Sequence, residues 1–219
     1  MKTRLTHIAF IYAILSLFAG TEWAADSGSD APHQPHTPTL IFYLSAAKDQ
    51  TDVDAIGVSI KKLKSAAVVE VNTNRGFARV RFDSHVVSYH QVAQAIADAG
   101  KTLGKTYNPH LVFSVAEYAQ KDNAADVDAI FAGKRLNSRV HIQSLDKSKG
   151  RFLVYFLPLT LDPKNPAPQG FNGGHLHHPI SDPPPRGLGL TSSYASDDDL
   201  SIVPDGKAGP TTNRTLQTP

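Results

Sequence analysis

Cysteine is absent from all 219 residues. That removes disulfides, thiolate metal sites, a cysteine nucleophile and a lipid-anchored cysteine at once. An excess of charge is missing too. Lys and Arg number 22 against 20 Asp and Glu, a net +2, and two of the cations, Lys2 and Arg4, stand at the very start. Nothing in that balance attracts nucleic acid. Nor does any apolar run reach the roughly twenty residues that a membrane-spanning helix needs. No His-Glu-x-x-His and no Gly-x-Ser-x-Gly occurs, so neither of those two catalytic frameworks is present. The expectation is a non-enzymatic protein.

What is present begins with a short apolar stretch, Ile8 to Ala19, behind Lys2 and Arg4 and ahead of small residues at Ala24 and Ala25. This is the pattern of a cleaved secretory signal over residues 1–25, and it predicts export to the periplasm or the cell exterior. Residues 26–38, with Pro32, Pro35 and Pro38 among His33 and His36, read as a flexible linker.

The organising feature lies further on. Positions 126–130 repeat positions 52–56 letter for letter, Asp-Val-Asp-Ala-Ile, and Gly150 follows the second copy as Gly76 follows the first. Val80 pairs with Val154 and Phe82 with Phe156 at the same offset, so two related units are expected, spanning 39–107 and 108–160. In the first, Leu40 to Leu44 reads as a buried strand. Val53, Ile56, Ile60 and Leu63 form the apolar stripe of a helix. Val69 to Val71 and Ala78 to Phe82 alternate across the turn residues 73–76, predicting a hairpin. Ser88 with Gln91 forms a capping box and Val87 with Val92 a hydrophobic staple, opening a helix that runs to Ala99 and stops at Gly100. A final strand from Leu103–Lys105 or His110–Val115 completes an α+β, ferredoxin-like βαββαβ sandwich. The second unit offers Leu111–Val115, a helix near Val127–Ala132, and strands near Val140–Leu145 and Phe152–Leu157. It is a partial βαββ copy without a second helix. Residues 161–219, rich in proline and glycine, read as a disordered tail.

Residues 39 to about 105 resemble the heavy-metal-associated domain. The resemblance rests on Leu40-Ile-Phe-Tyr-Leu44, Val53-x-x-Ile56, Leu63, Val69-x-Val71, Val80-x-Phe82 and Val92 through Ala99-Gly100. In that family the first loop carries Met-x-Cys-x-x-Cys. Here those places fall on Ala47, Asp49 and Asp52. The resemblance implies the fold, whereas the soft-metal grip is gone, because carboxylates suit Mg, Ca or Mn rather than Cu(I) or Hg(II). Asp49 and Asp52 have two readings: half of a hard-cation site, or a helix N-cap and its dipole-favoured neighbour. Asn123 and Asp126 take the corresponding places in the second copy.

The other metal candidate is the cluster His175, His177 and His178 behind Gly173 and Gly174. Its imidazoles suit Zn, Ni or Cu(II), with Asp182, His33, His36 or a second chain completing the ligand set. If no metal is bound, a protein partner taken on an exposed sheet face or edge is the alternative. His85, His90, His110 and His141 are dispersed and read as structural. Residues 99–106 resemble a phosphate loop, but a helix precedes them and Asn108-Pro109 stands where a helix should start, so nucleotide binding is not expected. Asp197–Asp199 reads as a solvating run. Asn213-Arg-Thr215 matters only in a eukaryotic secretory pathway.

Overall fold

A computed structural model of the chain describes residues 37–120, 122–165 and 167–195. The signal segment, His33 and His36, Asp197–Asp199 and Asn213 lie outside the described residues. The elements run β1 (Thr39–Tyr43), α1 (Gln50–Lys61), β2 (Ala66–Asn72), β3 (Phe77–Phe82), α2 (Tyr89–Thr102), β4 (His110–Val115), α3 (Asn123–Phe131), α4 (Lys134–Asn137), β5 (Val140–Asp146), β6 (Arg151–Phe156), α5 (Gly174–Ser181) and β7 (Ser192–Tyr194). The fold is α+β, a helical layer on an antiparallel sheet.

The seven strands form one sheet in the order β2-β3-β1-β4-β6-β5, with β7 also paired to β4. All pairs are antiparallel. Strand β4 has three partners but only two edges. One edge carries β6 from His110 to Ser114, so β1 and β7 divide the other, β1 at His110 and β7 at Phe113–Val115. Around the first half the order reads β4-β1-β3-β2, and around the second β7-β4-β6-β5. The final strand of the first half is therefore His110–Val115, and 103–105 is a turn and loop.

Period-two alternation sends Leu40, Phe42, Ala78, Val80, Phe82, Leu111, Phe113, Phe152 and Val154 to one face. There they meet Ile56 and Ile60 of α1, Val92 and Ile96 of α2, Val127 and Phe131 of α3 and Leu176 and Ile180 of α5. This is the main core. Ile41, Tyr43, Phe77, Val112 and Leu153 point the other way and cluster with Ala195.

Hairpin glycines close both halves alike. Gly76 and Gly150 have φ of +64° and +61°, a region that glycine enters without steric cost. Their carbonyls accept from Leu44 N (2.7 Å) and Val115 N (2.9 Å) at the ends of β1 and β4. A Cβ at either would strike the carbonyl oxygen of that same residue.

Two expectations fail. Residues from 161 onward do not form a disordered tail through the described part: Phe171, Leu176 and Ile180 are fully buried and Tyr194 is nearly so. The second half does not lack a second helix, because α5 packs on α3 and β7 follows it into the sheet. The reason is visible on α2. The side chain of Ser88 donates to Gln169 O, Gln91 Oε1 accepts from Gln169 N, and Gln94 Oε1 accepts from Leu159 N. His90 Nε2 donates to Leu157 O (2.6 Å) while its Nδ1 accepts from Phe171 N (3.2 Å). Few large apolar residues suffice when polar side chains of a rigid helix hold the connecting backbone. Helix α2 also continues to Thr102 instead of stopping at Gly100.

Candidate functional site

The loop between β1 and α1 is where the two aspartates sit. Asp49 is the N-cap of α1, accepting from Asp52 N, and Asp52 at the third helical position returns the bond to Asp49 N. This is a capping box made of two aspartates. Asp52 does more than cap. It is fully buried, and its two oxygens accept four donors: Lys48 N at 2.6 Å and Asp49 N at 3.1 Å on Oδ2, Lys105 Nζ at 2.6 Å and Tyr107 OH at 2.6 Å on Oδ1.

Those donors fix its charge state. Burial works to raise the Asp52 pKa, but the Lys105 ammonium, the Tyr107 hydroxyl and the two amides outweigh it and hold the carboxyl well below the usual carboxylate range. The Lys105 pKa rises in turn, first through its bond to Asp52. Burial raises that of Tyr107, and the carboxylate beside it adds to the effect. Tyr107 reaches Asp52 because Gly100 lets its ring come close: a Cβ there would sit 3.0 Å from the ring and 2.9 Å from Lys105 O.

A carboxylate with about four lone-pair sites, all taken, has none left for a cation. Asp49 keeps an exposed outer edge, with Lys105 Nζ 3.4 Å from Oδ2, so this carboxylate also faces an ammonium. Asp52 and Asp49 thus form an internal ion pair and a helix cap. Lys105 and Tyr107 went unnoticed in the sequence because they contact Asp52 across 53 and 55 residues. The single local signal was the glycine-rich stretch 99–106, whose glycine and lysine turn out to serve this contact.

The repeated pentapeptide does something else in the second half. Helix α3 has Asp122 as N-cap, in a left-handed conformation with no side-chain cap bond, and Asn123 is its first residue. Asn123 is not the cap; its amide donates to Glu117 O. Asp126 is exposed. Asp128 instead accepts from Tyr118 OH (3.0 Å) and lies 3.4 Å from Lys147 Nζ.

The three imidazoles of α5 do not converge. Arg139 Nη1 donates to His175 Nε2 (2.6 Å), whose Nδ1 lies against the Asn172 backbone, 2.8 Å from its N and 2.9 Å from its O, while its ring stacks on Phe171. His177 Nδ1 bonds Ser192 Oγ (3.0 Å), and His178 Nδ1 meets Asp182 Oδ1 (3.3 Å). Burial and the nearby Arg139 lower the His175 pKa. Among the described residues, no group of three or more His, Cys, Asp or Glu side chains is placed to hold a metal ion. Helical geometry explains this: His177 lies about 200° around the helix from His175. Asp182, the expected helper, serves His178 alone.

A cleft of about 320 Å³ opens beside this network between α2 and β6, with Lys101, Lys105, Tyr107 and Phe156 in its wall. Its cations are already engaged, Lys101 with Asp98 at 2.8 Å and Lys105 with Asp52. No helix among the described residues is long and apolar enough to cross a membrane.

No family model matches the chain, and no curated protein matches it. Among solved structures it is similar to the water-soluble region of the P-type ATPase CopA from Bacillus subtilis, at 15% identity and a TM-score of 0.32, over 56% of this chain and 78% of that one. It is also similar to the N-terminal soluble domains of Bacillus subtilis CopA in solution, at 12% identity and a TM-score of 0.29, over 59% and 84%. These values transfer no residue roles.

Proposed function

We propose that this chain is an exported, non-enzymatic interaction module whose loop between β1 and α1 is a structural lock and not a metal site. The observation that carries the reading is Asp52, buried and bonded by four protein donors. A cation there would have to displace Lys105 and then bear the desolvation that the ammonium now offsets. The reading of His175, His177 and His178 as a Zn, Ni or Cu(II) site finds no comparable support, since each imidazole has its own separate partner.

Recognition then falls to the sheet. The strands at the two ends of its order each carry a register shift, between Val68 and Glu70 in β2 and between Ser144 and Asp146 in β5. Bulges of this kind interrupt the ladder and hinder strand addition. The exposed side chains of the face opposite the helices, Arg81 and His141 among them, are the remaining candidate surface.

The test is a calorimetric titration of the full chain with Zn, Ni, Cu(II) and Ca, repeated on Asp52→Asn and on the triple variant His175/His177/His178→Ala. We expect no saturable isotherm that either variant abolishes, and a large loss of stability for Asp52→Asn. A one-to-one isotherm removed by Asp52→Asn would overturn the lock, and one removed by the histidine variant would restore α5 as a metal site.

A further inference from the structure

Two imidazoles hold the backbone ahead of α5 to the rest of the fold, and each does so only while neutral. His90 is 2% exposed and accepts at Nδ1 from Phe171 N (3.2 Å). An amide N–H can only donate, so the ring proton sits on Nε2 and goes to Leu157 O (2.6 Å). Beside it, Arg139 Nη1 donates to Gly170 O (2.9 Å) and to His175 Nε2 (2.6 Å). A guanidinium has no acceptor, so that ring nitrogen carries no proton. A proton added to either ring therefore meets a donor, Phe171 N in one case and Arg139 in the other.

The groups packed around the rings do not offset this. On α2 the neighbours of His90 are Gln91, which is uncharged, and Tyr89, whose pKa burial raises, so that it too stays neutral. Strand β6 presents the Phe156 ring, 5.3 Å away. The described charged groups that act on the rings are cations: Arg139 on both, with Arg135 of α4 and, when protonated, His178 of α5 on His175. Burial is the largest cause on both rings and lowers both pKa values, against the backbone bonds to Leu157 and Asn172. His110 shows the contrast. Burial lowers its pKa as well, but its Nδ1 faces the carbonyl of Asn108 (3.0 Å), a bond that a second ring proton leaves intact.

Helix α5 itself is held by other means. Leu176 and Ile180 are fully buried in the main core, and Glu117 accepts from Thr191 N and Thr191 Oγ1, both at 2.8 Å, just before β7. Burial works to raise the Glu117 pKa, but the Thr191 bonds outweigh it and lower it. That anchor stays charged throughout the range in which histidine titrates.

We propose that His90 and His175 form an acid-released latch, from which residues 167–175 lift off α2 while α5, β7 and the rest of the sandwich stay in place. Phe171, fully buried with ring centroids 6.5 Å from Tyr89 and 5.9 Å from Phe156, leaves with the strap and uncovers an aromatic surface on α2 and β6. The ordinary histidine pKa is 6.5. Below it the open form takes up protons that the closed form refuses, so the latch is complete above that value and weakens as pH falls. Each ring favours opening by up to about tenfold per pH unit. The other ties of the strap, Ser88 to Gln169 O and Asn172 to Ser84 O, are neutral bonds of small net worth. This inference goes beyond the reading of Asp52 and is independent of it, since the Asp52 contribution is lost only below 3.8.

Hydrogen exchange of the full chain, followed by mass spectrometry and divided by the intrinsic rate at each pH, reads the opening. Between about pH 7.5 and 5.5, peptides spanning 167–175 should open by about tenfold to a hundredfold more, while those of α1, β1 and β3 change by less than about twofold. The double variant His90→Gln/His175→Gln replaces both rings with amides that do not titrate. Its 167–175 peptides should exchange at one level across that range, whatever the level. An equal acid response in every element, none in 167–175, or a wild-type response in the double variant would overturn the latch. Should the double variant not fold, the imidazole nitrogen shifts of the unaltered chain decide. Rings of His90 and His175 that take up a proton near about pH 6.5 while the 167–175 amides remain protected would overturn it as well. Every arm leaves Asp52 untouched, so its own titration fails or succeeds separately.

Discussion

Two copies of Asp-Val-Asp-Ala-Ile sit at the starts of α1 and α3, and they bury different letters. In α1 the inward positions are Asp52 and Ile56; in α3 they are Val127 and Phe131. The cause is one residue of helical phase. Asp52 is the third residue of α1, whereas Asp126 is the fourth of α3, and one residue turns a side chain by about 100°. Each half nevertheless makes a carboxylate contact with a tyrosine and a lysine. The first uses the opening aspartate, sealed from water, with Tyr107 and Lys105; the second uses the third letter, half exposed, with Tyr118 and Lys147. Identity of sequence over five residues does not carry identity of environment, and the environment decides what a carboxylate can do.

The contrast is sharpest in stability. Asp52→Asn should cost about 3 kcal/mol, the lower end for breaking a buried pair, since Lys105 can still turn toward water. Asp126→Asn should stay within about 0.5 kcal/mol, as an exposed site away from any special contact. Chemical denaturation of both variants measures the difference, and comparable losses would dissolve the comparison.

Next comes Phe156→Asp, which places a charge among the rings of Phe42, His90 and Phe171 at 6.2, 5.3 and 5.9 Å. A loss of about 3 kcal/mol or more is expected, on the scale of phenylalanine truncation in a core. An unchanged melting temperature and oligomeric state would count against the packing of the second half on the first. His90→Phe should cost about 1–3 kcal/mol by orphaning Leu157 O and Phe171 N. Limited proteolysis should then cut between those two residues, and a wild-type digestion pattern would remove His90 from its clasping role.

Acid provides a gentler probe. The Asp52 pKa is depressed in the folded chain, so its contribution is complete above the ordinary value of 3.8. As pH falls below that value the unfolded chain binds a proton that the folded chain refuses, and stability declines by up to about 1.4 kcal/mol per pH unit. Below the folded pKa the contribution is gone. The slope assigned to this group should vanish in Asp52→Asn and persist in Asp126→Asn. Asp128→Asn should cost less than about 1 kcal/mol, because Asp128 is half exposed and Lys147 more so.

Much of this was written in local pattern. Alternation placed the strands, the Ser88 and Gln91 box placed the start of α2, and the matched Gly76 and Gly150 marked hairpins that prove alike in backbone geometry. What escaped was of two kinds. Lys105 and Tyr107 act on Asp52 across more than fifty residues, and no period or cap announces a contact of that range. Residues 161–219 looked too poor in apolar side chains to fold, yet the described part of them is held by Ser88, His90 and Gln91, whose side chains bind backbone groups that composition does not count. The histidine cluster misled for a related reason. Proximity along a helix is not proximity around it.

Strand β4 closes the first half with its His110 end and anchors the last strand of the chain with its Phe113–Val115 end. A sheet with two like halves can ordinarily be trimmed to one, or cut and its pieces exchanged. This one cannot be divided so simply, because a single six-residue strand is party wall to both houses. Removing either half strips an edge from the other, so the two halves of the sheet are mechanically indivisible.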